Sequence, residues 1–203
     1  LEDHFEQLKL GFQRAPVPVH RIDTDTSGCL LLARNPKSLK RFAKCFEDRV
    51  VEKRYLGVLS GVPAESEGTI ELSLSKISSA EKGWRMIAAK KGKPSVTAWR
   101  VVATHEGRAL VEFRPATGRT HQIRVHFKHI GFPLVGDALY GTKATAQLAS
   151  DTGVRAERQM LHARLLAFTH PRNGERLTFE AAWPSDFERV LQELRKAKTK
   201  TNS

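Results

Sequence analysis

Apolar residues along this chain recur in two rhythms, alternation and a three-to-four-residue repeat, in short blocks separated by turn-forming residues. The first block, around Phe5 to Phe12, reads as a short helical stretch that Pro16-Val-Pro18 stops, leading extended chain into His20. Thr26-Ser-Gly28 punctuates the chain before Cys29-Leu-Leu-Leu-Ala33, a continuous apolar run typical of a strand buried on both faces. Asn35-Pro36 then supplies the N-cap and first residue of a helix with Leu39, Phe42, Ala43 and Phe46 on one face, ending near Asp48.

Val50 to Ser60 alternates as a strand does, and shorter β-like pieces follow at Thr69 to Leu74 and Trp84 to Ala88. After the basic turn Lys90 to Pro94, Val96 to Ala103 and Ala109 to Arg114 form a strand pair joined by His105-Glu-Gly-Arg108. Pro115-Ala-Thr-Gly118 breaks the second strand. Thr120 reads as the N-cap of a helix with Ile123, Phe127 and Ile130 on one face, closed by Gly131 with Pro133 beyond. Thr142 to Arg158 has weak periodicity and many small residues, which predicts a surface excursion. Met160 to Phe168 and Arg176 to Glu180 flank the hairpin signal Asn173-Gly174, and Pro184-Ser-Asp186 opens a last helix, Phe187 to about Lys196. Residues 197–203 read as a flexible basic tail. Strands and helices interspersed with hairpins predict an α+β architecture with a mixed sheet.

At 203 residues, 40% hydrophobic and 28% charged, the chain suits a single folded domain. Its longest apolar run is far too short to span a bilayer, which predicts a soluble, cytoplasmic protein with no membrane partner; a monomer is expected. Cys29 and Cys45 form no CxxC pair and read as small buried hydrophobes. Lys and Arg exceed Asp and Glu by 34 to 22, a formal charge of +12, which suggests a polyanionic partner. The first residue is Leu, so we expect missing N-terminal sequence.

His20-Arg-Ile-Asp-Thr-Asp-Thr-Ser-Gly28 packs a base, two carboxylates and three hydroxyls beside an apolar run. A carboxylate held by loop amides and hydroxyls at the edge of a core can stay ionised and fixed, as a nucleophile or general base must. A turn whose Asp and Thr cap local amides satisfies the same pattern. In Arg114-Pro-Ala-Thr-Gly-Arg119-Thr-His-Gln-Ile-Arg-Val-His126 a glycine loop delivers Arg119 to a helix start, where it could pair with a carboxylate; on this segment alone a solvated basic helix is the stronger reading. His121, His126 and His129 lack metal-ligand spacing, so no metal is expected. In Lys53-Arg54-Tyr55 the ring is either an ordinary strand aromatic or a surface for an extracted base.

Taken in this order, these segments resemble the RluA family of RNA pseudouridine synthases. His20 to Arg34 is similar to that family's HRLD-x-x-TSG motif, with Ile22 in place of Leu, and Gly118 to His126 to its second motif. Gly136-Asp-Ala-Leu-Tyr-Gly141 and Leu161-His-Ala163 resemble downstream markers. The resemblance implies a long bent mixed sheet, mainly antiparallel, with a central catalytic cleft. It implies Asp23 as the catalytic aspartate, Arg119 as its ion-pair partner and Tyr55 as the ring against the target base. Arg21 would fill the space left by the flipped nucleotide, Leu161 would line the pocket, and Thr26 and Arg124 join the RNA- and base-binding residues. The family's segment resembling Asn-Lys-Pro-x-Gly is absent before His20, so the domain is expected to be N-terminally trimmed.

The function so implied is isomerisation of uridines to pseudouridine in structured rRNA or tRNA, without a cofactor. Two other readings remain open on the residues alone. One is a non-catalytic RNA-binding or RNA-folding protein on the same scaffold; the other is a glycosidase-like or phosphoesterase hydrolase using Asp23 with Asp25. Alternation along extended chain would point Asp25 away from the side of Asp23.

Overall fold

A computed structural model describes residues 4–81 and 83–197. In chain order the strands are β1 (Val17–Pro18), β2 (Ser27–Gly28), β3 (Leu32–Ala33), β4 (Glu52–Leu59), β5 (Glu67–Ser79), β6 (Gly83–Ala88), β7 (Lys93–His105), β8 (Arg108–Pro115), β9 (Leu161–Thr169) and β10 (Arg176–Glu180). The helices are α1 (Pro36–Glu47), α2 (Gln122–His129), α3 (Thr142–Thr152) and α4 (Ser185–Ala197). The expected tail lies, beyond Ala197, outside the described residues.

The main sheet has the order β10-β9-β4-β8-β7-β5-β6, every neighbour antiparallel, and β2 adds to β9 in parallel. This is the mixed α+β sheet that the pattern predicts, mainly antiparallel as the family resemblance implies. Strand alternation explains its two covered faces. Leu59 on β4 and Val111 and Phe113 on β8 meet Ile123 and Phe127 of α2, with Tyr55 packed against the same cluster. Leu56 and Val58 point the other way, onto Leu148 of α3 and Phe187 and Val190 of α4.

Several elements depart from expectation. Phe5 to Phe12 contains only a 3-10 turn, Gln7–Lys9. Cys29 to Ala33 is not one buried strand. It follows β2, which joins β9, and only its last two residues form a strand, β3, which pairs with β1; residues 29–32 are half-buried. Both cysteines are half-buried too. Thr120 does not cap α2: the residue before that helix is His121, in the left-handed region at φ 53°, with no side-chain cap. The Thr142 to Arg158 excursion contains α3, whose Leu148 is fully buried. Asn35 does cap α1, its side chain accepting from the Ser38 amide at 2.8 Å.

Candidate active site

Asp23 lies in a loop fastened at both ends. On the entry side the amide of Val19 donates to the carbonyl of Leu31 at 2.9 Å, and the Leu31 amide donates to His20 Nε2 at 3.0 Å. His20 must therefore be neutral. Burial first, and Lys53 after it, bring its pKa down to about 4, although the Arg21 backbone opposes them. Its ring stacks on Phe46 of α1 at 4.5 Å. On the exit side β2 lies along β9, and the Cys29 amide donates to Ala163 O at 2.9 Å. Gly28, at φ +112°, sits where a Cβ would collide with the Ala163 backbone. Within the loop the Thr26 amide donates to Asp23 O at 2.9 Å, and the buried Thr26 hydroxyl lies 3.4 Å from Gln159 Nε2.

The loop faces a cavity of about 380 Å³. Arg21, Asp23, Thr26, Tyr55, Arg119 and Leu161 all line it, so segments far apart in sequence converge on one space. Asp25 is exposed and absent from that lining; its carbonyl accepts from Arg158 at 2.9 Å. Tyr55 projects from β4, where burial first and the Asp23 charge second push its hydroxyl pKa well up. It remains a neutral phenol at physiological pH.

The ion pair expected of Arg119 is made by Arg124 instead. Arg124 Nη1 lies 3.2 Å from Asp23 Oδ2, while its Nε and Nη2 grip both oxygens of Asp137 at 2.7 and 2.9 Å. The side chains of Arg124, Asp23 and Asp137 are 8%, 14% and 0% exposed. Arg119 precedes the helix, its backbone amide held by Gln122 Oε1 at 3.0 Å, and its Nε donates to Pro94 O at 3.2 Å. Arg124 lies inside α2, on the side turned to the core, and only from there can a guanidinium reach Asp23 and Asp137 together.

Sequence reading had assigned Asp137 no role. Its Oδ1 also accepts the amides of Leu139 and Tyr140, at 3.0 Å each, so the carboxylate ends a turn and braces Arg124 at once. The Tyr140 ring lies 5.0 Å from the Arg124 guanidinium, and its hydroxyl accepts from the Met86 amide at 3.0 Å. The hydroxyl hydrogen is then free for His121 Nδ1, 2.8 Å away. That histidine stacks at 5.0 Å on Trp84, which is 43% exposed. The signal for this brace was present in Gly136-Asp-Ala-Leu-Tyr-Gly141, but nothing in its spacing says which cation it holds.

Fold and site together define a base-modifying RNA enzyme scaffold: a mixed sheet with an anchored carboxylate, Asp23, in a cation-rimmed cavity beside a partly buried tyrosine. Residues 3–129 match the sequence profile of the RNA pseudouridylate synthase family. An uncharacterized RNA pseudouridine synthase of Zymomonas mobilis is 46% identical over 188 residues, 92% of this chain and 82% of that protein. Ribosomal large subunit pseudouridine synthase C of Salmonella typhimurium is 37% identical over 181 residues, 89% of this chain but 56% of that longer protein. Among solved structures, human RNA pseudouridylate synthase domain containing 4 superimposes with a TM-score of 0.76 at 25% identity, covering 94% of this chain and 80% of that one. The chain belongs to the RNA pseudouridylate synthase family, in its RluA branch. It spans little more than half the length of several curated relatives that it matches.

Proposed function

We propose that this chain isomerises uridine to pseudouridine in structured RNA, with large-subunit ribosomal RNA as the substrate class that its named relatives favour. The observation that carries the reading is the convergence of Asp23, Tyr55 and Leu161 on one cavity, with Arg124 holding the Asp23 carboxylate in place. The reaction breaks the N1–C1′ bond, turns the freed base and joins C5 to C1′; the proton lost from C5 balances the one gained at N1. One carboxylate suffices, acting either as a nucleophile or as a base toward the sugar. Arg124 fixes its position through the 3.2 Å contact, Tyr55 supplies a face and a neutral hydroxyl for the base, and Leu161 and Thr26 close the space around it. Arg21 and Arg119 sit on the same wall, where a flipped nucleotide leaves its gap and its backbone. The charge of +12 serves the phosphate chain around the target. Asp25, outside the cavity, gives no support to a paired-carboxylate hydrolase.

The test is incubation of the protein and its Asp23→Asn variant with ribosomal RNA lacking modifications, followed by carbodiimide mapping of pseudouridine. Stops with the wild type alone are expected, while the variant, still holding Arg124 through Asp137, folds and binds RNA. RNA binding without any stop from either protein would leave the non-catalytic reading standing.

A further inference from the structure

Strand alternation gives the three consecutive residues of β4 different surroundings. Arg54 turns to the face opposite the cavity, where it pairs with Glu52 at 2.6 Å and lies 4.0 Å from Glu112. Lys53 and Tyr55 turn to the cavity. Lys53 is half-buried, and its ammonium donates to a single acceptor, Thr117 O at 3.3 Å. Among the described residues no carboxylate pairs with it. Its strongest charged influence is another cation, Arg49, and burial and that charge together lower its pKa.

Arg49 lines the same cavity from the end of α1. It sits at φ 59°, a left-handed position that glycine or asparagine ordinarily fills, so the backbone is strained at the point where the guanidinium is delivered. Among the described residues Arg49 has no carboxylate partner either. Glu47 also lines the cavity from the end of α1, yet among the described residues neither cation is ion-paired; Lys53 is half-buried and Arg49 exposed, so the two are open to an incoming anion.

We propose that Lys53 and Arg49 form a phosphate subsite, which takes a backbone phosphate flanking the target nucleotide while its base lies against Tyr55. The proposal rests on the RNA-modifying reading and names what holds the flipped nucleotide by its backbone. An incoming phosphate relieves the cation–cation repulsion and uses the ammonium protons that Thr117 leaves free. The subsite thus favours the flipped state over a stacked one, whose phosphates lie outside the cavity.

Two measurements test it. In the first, lysines are reductively methylated with 13C-formaldehyde, the Lys53 resonance is assigned by its loss in Lys53→Arg, and the protein is titrated with uridine, uridine 5′-monophosphate and uridine 3′-monophosphate. A monophosphate is expected to shift the Lys53 signal where uridine does not, and the two isomers tell which flanking phosphate is held. In the second, Lys53→Met and Arg49→Gln are expected to lower kcat/KM on ribosomal RNA about tenfold or more. Each should also reduce the salt dependence of log kcat/KM by about one unit of slope. Equal response to uridine and both monophosphates, or wild-type kcat/KM and salt slope in the variants, would overturn the subsite. The nucleotide titration needs no turnover, so an inactive wild type would count against the enzyme reading and leave the subsite to be judged on binding.

Discussion

Arg124 holds one carboxylate with two of its nitrogens and another with the third, and this division sets what each of its neighbours can do. With Asp137 fully buried, replacing Arg124 by Gln leaves a carboxylate in the core without its cation. That should cost on the order of 3–5 kcal/mol of stability, read from urea denaturation, and should abolish pseudouridine formation. Arg119→Ala removes only a contact to Pro94 O, so its stability should stay within about 0.5 kcal/mol of wild type and its activity should fall less than that of Arg124→Gln. Similar losses for both would undo the assignment of the ion pair to Arg124. Both arginines stand in one short motif, and each could be the partner on sequence grounds. Helix phase decides between them, and phase depends on where α2 begins. The left-handed His121 places that start two residues after the expected cap.

At the scale of elements, the strongest local signals held. Asn35-Pro36 opened a helix because capping is chemistry between residues three apart, and the β7–β8 hairpin followed from alternation around Glu106-Gly107. The apolar run after Gly28 misled because length and composition say nothing of which strand accepts it. Its first residue is tied to β9 through the Cys29 amide, and its last two pair with β1. Helix α3 was hidden because a helix anchored mainly by one buried Leu148 shows little periodicity; its Thr145 hydroxyl also accepts from the Gly136 amide at 2.9 Å. The parallel β2–β9 contact is what holds the Asp23 loop at its exit. Gly28→Ala should therefore destabilise by several times the roughly 1 kcal/mol of an ordinary glycine replacement and lower activity at temperatures where the fold persists. Thermal unfolding checks this, and a melting point equal to wild type would show that the loop does not need the close approach.

For the molecule as a whole, two neutral histidines, His126 buried and His20 half-buried, set an acid limit to stability. Burial holds His126 down to about 4, with His129 adding to the effect, and His20 likewise to about 4. The Ser95 hydroxyl donates to Leu72 O at 2.7 Å, so His126 Nε2, 2.8 Å away, must donate to that oxygen, leaving Nδ1 bare. Folded pKa values below the unfolded 6.5 mean that the unfolded chain takes up protons first as pH falls. The stability these groups contribute is complete above about 6.5 and is lost toward 4, each on the order of 2–3 kcal/mol. The urea midpoint should drop between pH 7.5 and 5.0, and His126→Gln should flatten that drop; an unchanged midpoint would contradict it.

The family's motifs, the α+β class and several of the residues that line the cavity, Arg21, Asp23, Thr26, Tyr55, Arg119 and Leu161, were legible in the sequence by itself, because the motifs are written in contiguous residues. Only the tertiary structure decided that Arg124 rather than Arg119 meets Asp23, that Asp137 braces it, and that Lys53 and Arg49 line one cavity with neither in an ion pair among the described residues. Those outcomes depend on which side of a strand or helix faces the same space, and that facing is settled by packing between segments a hundred residues apart.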